Sequence, residues 1–110
     1  MRLARGRKWS ADGLVLQMQP SPAEFHKSDA LRVGFTVTKK VGDAVRRNRA
    51  KRRLREVARA VLPLYGVGGT DYVLIGRDAT LTRPFTDLIE DLKTALRKVH
   101  GGKAHKAEKE

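Results

Sequence analysis

The sequence predicts a small α+β domain with a sheet of about four strands and two amphipathic helices. Short segments with strand patterns lie at residues 13–19, 31–37 and 71–76, and longer segments with helical periodicity lie at residues 43–62 and 84–99. A chain of 110 residues has room for one modest core, so we expect a single domain over residues 1–100.

The first two strands are predicted from alternation of apolar and polar side chains. Leu14, Leu16 and Met18 alternate with mostly polar neighbours, as in a strand with one buried face. Val33 and Phe35 alternate in the same way within residues 31–37. A loop with two prolines separates the segments, and we expect them to pair as a long-looped hairpin.

The first helix is predicted from apolar residues spaced by four, three and four, which are Ala50, Leu54, Val57 and Val61. Asp43 is a candidate N-cap, because aspartate side chains accept hydrogen bonds from free backbone N–H groups at helix starts. Pro63 is expected to follow the end of this helix, since proline lacks the N–H that a helix interior needs.

The C-terminal half continues the pattern. Residues 71–76 form an apolar run bounded by glycines, typical of a central strand covered on both faces. Residues 84–99 predict an amphipathic helix, acidic early and basic late, which Gly101 and Gly102 should end. Residues 103–110 carry no apolar anchor, and we expect residues 101–110 to be a disordered tail.

Composition restricts the partner and the compartment. Lys and Arg outnumber Asp and Glu by 24 to 12, which favours an anionic partner, and nucleic acid leads. No apolar run reaches the roughly 20 residues of a membrane span or resembles a signal peptide, so we expect a cytoplasmic protein without a membrane partner. With no cysteine and only three scattered histidines, no metal site is expected on the protein.

The basic segment, residues 46–55 (RRNRAKRRLR), contains seven cations and no acid. At helical spacing, Arg47, Lys51 and Arg55 line one flank of the apolar stripe, with Asn48 and Arg52 just beyond them. Arg46, Arg49 and Arg53 line the other flank. A solvated helix face is the ordinary alternative, but uninterrupted repulsion between neighbouring cations favours a phosphate-binding surface.

No motif indicates catalysis by the protein itself. The chain has no cysteine nucleophile, no spaced Ser-His-Asp set and no phosphate-cradling glycine loop. Asp87 and Asp91 could hold Mg²⁺, but carboxylates early in a helix more often complement its dipole. Phe35 and Phe85 fall on core faces, so Trp9 is the candidate exposed ring for stacking on RNA bases.

Residues 32–57, RVGFTVTKKVGDAVRRNRAKRRLREV, closely resemble the signature of the bacterial ribonuclease P protein component. DYVLIGR and the closing amphipathic helix extend the resemblance over roughly residues 1–99. It implies a left-handed βαβ crossover formed by residues 32–37, the basic helix and residues 71–76, in a fold shared with the second domain of a small-subunit ribosomal protein. It also implies a protein that binds the catalytic RNA and the 5′ leader of precursor tRNA, one protein per RNA, while the RNA and its Mg²⁺ ions carry out cleavage.

The resemblance also implies site residues. RNA contacts are expected from Lys39, Lys40, Arg47, Asn48, Arg49, Lys51, Arg52 and Arg55, and Arg46 and Arg53 join them as the remaining cations of the basic segment. A leader cleft between helix and sheet is expected beside Gln17, Thr36 and Thr38, with Trp9 as a further candidate. The family's usual N-terminal helix is expected to be reduced to its last turn or two, or to begin upstream of MRLARGRKW.

Two other classes of protein share parts of this pattern. A ribosomal or other structural RNA-binding domain is also small, basic and free of cysteine. A helix-turn-helix DNA-binding protein would place the basic helix in a major groove, but the flanking strands argue against it. Co-purification with ribosomal subunits would favour the former, and tight duplex-DNA binding at physiological salt would favour the latter.

Overall fold

The computed structural model describes residues 7–20 and 31–105, with side chains for residues 7–19 and 31–100. In chain order its elements are β1 (Arg7–Ser10), β2 (Leu14–Pro20), β3 (Arg32–Thr36), a short 3-10 helix (Lys39–Val41), α1 (Ala44–Tyr65), β4 (Thr70–Gly76), α2 (Asp78–Thr82) and α3 (Phe85–His105). The strands form one mixed sheet in the order β1-β2-β4-β3. The predicted α+β class with a sheet of about four strands is confirmed.

The apolar strand β4 lies at the centre of the sheet, as its sequence predicts. It pairs antiparallel with β2 and parallel with β3. The predicted hairpin between β2 and β3 is therefore wrong: β4 lies between them, where both of its edges form backbone hydrogen bonds. The unit β3-α1-β4 is a parallel crossover, as the resemblance implies, and its left hand stays a prediction.

The core lies on one face of the sheet, beneath α1 and α3. Leu14 and Leu16 of β2 and Leu74 of β4 are fully buried, and Tyr72 is nearly so. The predicted stripe of α1 is confirmed, because Ala50, Leu54, Val57 and Val61 are all inaccessible to solvent. Leu88, Leu92 and Val99 of α3 complete this two-layer core.

The opposite face of the sheet, called the open face, carries Gln17, Gly34, Thr36, Val73 and Ile75. Along β4, fully buried and half-buried residues alternate, with Val73 and Ile75 half-buried. The expectation that β4 is covered on both faces is therefore wrong, because among the described residues α1 and α3 pack only on the face of Tyr72 and Leu74. Among the described residues, the open face therefore remains accessible to a ligand.

The start of α1 follows the prediction. The side chain of Asp43 accepts a hydrogen bond of 3.0 Å from the backbone N–H of Arg46, which caps the helix. Gly42 has a φ of 142°, a conformation that side chains with a Cβ rarely adopt, and it reverses the chain between the 3-10 helix and α1. The turn orients the helix that carries the basic segment.

Both predicted helix ends are wrong. Pro63 lies inside α1, which continues to Tyr65, because a proline in the last turn removes only one backbone hydrogen bond. Gly101 and Gly102 do not stop α3, since glycine costs a helix only about 1 kcal/mol per residue. Of the predicted disordered tail, residues 101–105 are therefore helical, and residues 106–110 lie outside the described residues.

β1 was not predicted. Residues 7–10 pair antiparallel with β2, with Trp9 opposite Leu16 and Lys8 opposite Gln17. A remnant of an N-terminal helix is expected within MRLARGRKW, and for residues 7–9 this is wrong, because they belong to β1. Residues 1–6 and the loop at residues 21–30 lie outside the described part of the chain. None of the helices that the structure describes has the length and apolar composition needed to cross a bilayer.

Candidate nucleic-acid interface

The basic segment occupies the first half of α1, and the 3-10 helix places Lys39 and Lys40 before its start. Residues 39–55 contain nine lysines and arginines and one acid, Asp43. The Asp43 carboxylate is engaged in capping the helix. The surrounding cations therefore form a concentrated positive surface that begins where β3 ends.

One flank of the basic segment faces β3. Arg47 and Lys51 are half-buried beside the apolar stripe, and Arg55 is exposed. The guanidinium carbon of Arg55 lies 5.8 Å from the centre of the Phe35 ring, within the range of a cation-π contact. This confirms that Arg47, Lys51 and Arg55 share one flank.

The other flank faces α2, and two of its arginines contact the protein itself. Arg53 donates hydrogen bonds of 3.0 and 2.6 Å to the carbonyl oxygens of Leu81 and Arg83. Arg46 donates from Nε to the carbonyl oxygen of Val41 at 3.0 Å. These two side chains stabilise the fold, and their expected RNA contacts can use only the remaining donors.

The outer surface of α1 presents polar groups to solvent. Asn48, Arg49 and Arg52 are exposed, and so are Thr38, Lys39 and Lys40 ahead of the helix. Arg52 lies 3.9 Å from Glu56, an exposed pair of small energetic value. Among the described residues, Arg47, Arg49 and Lys51 have no ion pair, which leaves their donors available to phosphate.

Two residues of the expected leader cleft, Gln17 and Thr36, lie on the open face. A cleft between α1 or α3 and the sheet at these residues is wrong, because both helices pack on the opposite face. Gln17 pairs with Val73, and Thr36 pairs with Ile75, so the two polar side chains lie on the same face of the sheet. Thr38 lies beyond the end of β3, at the edge that leads to α1. A groove of about 390 Å³ runs over this face beside β1 and is lined by Arg7, Lys8, Gln17, Met18, Gln19, Asp71 and Val73.

Trp9 does not belong to this cleft. Its partner in the sheet is Leu16, a core residue, so the indole lies on the helix side, and the Nζ of Lys98 is 5.4 Å from its ring centre. The expectation that Trp9 shares a surface with Gln17 and Thr36 is wrong, because alternation along β1 directs it to the opposite face. Phe85, expected on a core face, is 38% exposed.

Of the two carboxylates considered for Mg²⁺, Asp91 is engaged in hydrogen bonds within the protein. Asp91 is buried and accepts hydrogen bonds from Arg83 and from the backbone N–H of Gly13, which is a structural role. Among the side chains described, those of residues 7–19 and 31–100, no cluster of three or more His, Asp or Glu could hold a metal ion.

Comparison with known proteins identifies the family to which this chain is similar. The model of the ribonuclease P family matches residues 2–100. The chain belongs to the ribonuclease P protein family. The ribonuclease P protein component of Paramagnetospirillum magneticum is 52% identical over 93% of this chain and 77% of its own length. That of Ruegeria pomeroyi is 52% identical over 94% of this chain and 82% of its own length.

Solved ribonuclease P proteins share the fold. The protein from Thermotoga maritima superposes with a TM-score of 0.70 at 25% identity, covering 89% of this chain and 87% of its own. The Staphylococcus aureus protein gives a TM-score of 0.65 at 25% identity over 89% and 86% of the two chains. The chain is thus a ribonuclease P protein subunit of the bacterial type, and the resemblance stated from residues 32–57 is confirmed.

The patterns considered in the sequence do not predict three basic residues near these surfaces, Arg7, Lys8 and Arg59. Arg7 and Lys8 line the open-face groove, but a strand of four residues is too short to show alternation. Arg59 follows Arg55 by four residues and extends the flank that faces β3 by one turn. Helical spacing continued past the signature would have found Arg59.

Proposed function

We propose that this protein binds the catalytic RNA of ribonuclease P and the 5′ leader of precursor tRNA, and assists Mg²⁺-dependent endonucleolytic removal of the leader. The observation that carries the proposal is the positive surface of residues 39–55. Among the residues that the structure describes, its exposed cations have no acidic partner apart from the loose pair of Arg52 with Glu56. Arginine donors in this arrangement match phosphate oxygens.

The proposal divides the two ligands between two surfaces. The basic segment of α1 contacts the catalytic RNA through phosphates. The open face, with Gln17 and Thr36, receives the leader near the point where Thr38 leads to α1. One protein per RNA suffices for this arrangement, and we place the complex in the cytoplasm.

Bond cleavage belongs to the RNA in this proposal. Mg²⁺ held by the RNA would supply the activated water and charge stabilisation of phosphodiester hydrolysis. The protein's own residues bind and position phosphates. Support comes from Asp91, whose two oxygens accept hydrogen bonds from Arg83 and Gly13 and so are engaged within the fold.

The test is cleavage of precursor tRNA by the cognate catalytic RNA, with and without protein, over a range of low Mg²⁺ concentrations. Added protein should raise the rate most where Mg²⁺ is scarce, because its cations relieve repulsion between the two RNAs. Arg47→Ala should weaken the stimulation, whereas Arg97→Ala, at an exposed arginine of α3, should retain it. No stimulation by the unmodified protein would refute the proposal.

A further inference from the structure

A groove between α1 and the edge of the sheet, called the β3 groove, shares only Arg55 with the surfaces assigned above. Its volume is about 430 Å³, within the range of small-ligand pockets. Its apolar lining includes Val33 and Phe35 from β3 and Leu62 and Pro63 from α1, and Arg55 and Arg59 stand at its rim. The groove therefore combines an aromatic ring, apolar walls and two cations.

The groove follows from the position of β3. This strand is the last in the sheet order and pairs only with β4 among the described strands. Val33 and Phe35 lie on the core face, yet both are only half-buried beneath α1. An apolar groove left partly exposed beside a charged surface indicates a binding site.

The cations of the rim continue the flank that faces β3. Arg47, Lys51, Arg55 and Arg59 follow one another at intervals of four, so they form a row about three helical turns long. Arg59 is exposed and, within the described part of the chain, has no ion pair. A polyanion that follows this row reaches the β3 groove at its end.

We propose that the β3 groove holds an unpaired nucleobase of the catalytic RNA, stacked on Phe35, while Arg55 and Arg59 bind the adjacent phosphates. The inference rests on the proposed function and adds a site to it. Unpaired bases stack on aromatic rings and arginine planes, and Arg55 already lies 5.8 Å from the centre of the Phe35 ring. An apolar protein segment would contact the apolar walls but not the two arginines at the rim. A nucleotide can contact both, through its base and its phosphates.

The catalytic RNA is the occupant because of where the groove lies. It opens on the helix side of the sheet, continuous with the cationic row of α1. The open face proposed for the leader lies on the other side, since Gly34 and Thr36 alternate with Val33 and Phe35. A leader that crosses the open face would have to pass around β3 to enter the groove.

The experiment measures binding of the protein to the catalytic RNA at several KCl concentrations. Phe35→Leu keeps an apolar side chain but removes the ring, and Arg59→Gln removes the charge but keeps a long polar side chain. Arg97→Gln is the matched control on α3, where the arginine is also exposed. Thermal unfolding of each variant establishes that it is folded.

The two groove variants should change different quantities, Phe35→Leu the affinity and Arg59→Gln also its salt dependence. Phe35→Leu should raise the Kd about fivefold or more with an unchanged salt slope, because stacking releases no counterion. Arg59→Gln should lower the slope of log affinity against log salt by about 0.7 to 0.9, the value for one phosphate contact. Arg97→Gln should match the unmodified protein in both quantities.

A spectroscopic variant covers the case in which Phe35→Leu does not fold. Phe35→Trp places an indole at the stacking position, and its emission should be quenched when the catalytic RNA is added. The unmodified protein, whose single tryptophan is Trp9, gives the reference signal. Quenching no greater than that of the unmodified protein would contradict stacking at this position.

The outcomes separate this inference from the proposed function. If the unmodified protein binds and Arg47→Ala weakens binding, but the groove variants match Arg97→Gln, only the inference is wrong. If the unmodified protein has no affinity for the catalytic RNA, both are wrong. If the groove variants weaken binding of precursor tRNA but not of the catalytic RNA, the occupant of the groove is the leader. If sedimentation shows an RNA-free dimer that Phe35→Leu dissociates, the occupant of the groove is a second copy of the chain. Either of these two results overturns the inference.

Discussion

Arg83 holds the carboxylate of Asp91 through two hydrogen bonds, Nε to Oδ2 at 2.6 Å and Nη2 to Oδ1 at 3.1 Å. The backbone N–H of Gly13 donates a third, of 3.0 Å, to Oδ2. The hydrogen bond to Asp91 raises the pKa of Arg83 above its ordinary value, although partial desolvation opposes this. The contacts join the first half of α3 to the turn between β1 and β2.

Removing the charge of Asp91 should loosen this junction. We expect Asp91→Asn to lower the melting temperature by about 5 to 15 °C, because it weakens a charge-assisted pair and an enclosed backbone hydrogen bond. Glu90→Gln, which disrupts only the exposed pair with Lys93, should change it by no more than a few degrees. Equal melting temperatures for the two variants would show that the junction does not stabilise the fold.

Two glycines should respond oppositely to alanine. A Cβ at Gly13 would lie 2.6 Å from Oδ2 of Asp91, so we expect Gly13→Ala to destabilise the protein. A Cβ at Gly34 would meet nothing within 4 Å. Gly34→Ala should be neutral or stabilise by about 0.4 to 1 kcal/mol, since alanine restricts the unfolded chain. Urea unfolding measures both, and a stable Gly13→Ala variant would contradict the packing at the turn.

Tyr72 should make stability depend on alkaline pH. Burial raises the pKa of Tyr72 above its ordinary value of 10.0, although the hydrogen bond from the Val67 N–H acts the other way. Above pH 10 the unfolded chain loses this proton before the folded chain does, so stability falls as pH rises. Unfolding between pH 9 and 11.5 should show a steeper decline for the unmodified protein than for Tyr72→Phe.

The control for this pH effect is Tyr65→Phe, at a ring that is 51% exposed. Its pH profile should run parallel to that of the unmodified protein. At neutral pH, Tyr72→Phe should also lose some stability, because its hydroxyl is bonded to the Val67 N–H and lies 2.6 Å from Nε2 of His100. Parallel profiles for all three proteins would exclude Tyr72 as the source.

Substitution of Arg53 should mainly lower stability, whereas substitution of Arg49 should mainly lower affinity for the catalytic RNA. Arg53→Ala should destabilise the protein by about 1 to 3 kcal/mol, since it removes two hydrogen bonds from a charged group to backbone carbonyls. Arg49→Ala, one turn earlier on the same flank, should leave stability nearly unchanged and weaken binding to the catalytic RNA more. Denaturant unfolding and binding titrations on both variants distinguish these roles, and the reverse order would contradict them.

The basic segment should show the salt dependence that phosphate contacts produce. Arg47→Ala or Lys51→Ala should lower the slope of log affinity against log salt by about 0.7 to 0.9 for each lost contact. Asn48→Ala should reduce affinity with little change in slope, because a neutral amide releases no counterion. An unchanged slope for Arg47→Ala and Lys51→Ala would mean that these side chains face water.

Local patterns predicted the elements that depend on local chemistry. The Asp43 cap follows from the capping preference of aspartate, and the stripe from Ala50 to Val61 and the two flanks of α1 follow from helical spacing. The structure has each of them. Helix ends were less predictable, since Pro63 and Gly101 make a helix less favourable without forbidding it. Tertiary packing decided those positions.

Contacts between distant segments could not be predicted from such patterns. Whether β2 pairs with β3 or with β4 depends on competition among strands, and alternation does not encode it. The direction of Trp9 depends on the register of a four-residue strand. The bonds from Arg53 to the α2 region join residues 28 and 30 positions apart, so charge counting could not separate Arg53 from Arg49.

The hydrogen bonds of Arg53 have a kinetic consequence. A guanidinium that donates two hydrogen bonds to carbonyl oxygens still contributes its full charge to the field around the protein. Such a cation accelerates diffusional encounter with a polyanion without lengthening the lifetime of the complex. In the function proposed above, Arg53 would therefore add to the attraction of the basic helix for RNA even though two of its hydrogen bonds stay within the fold.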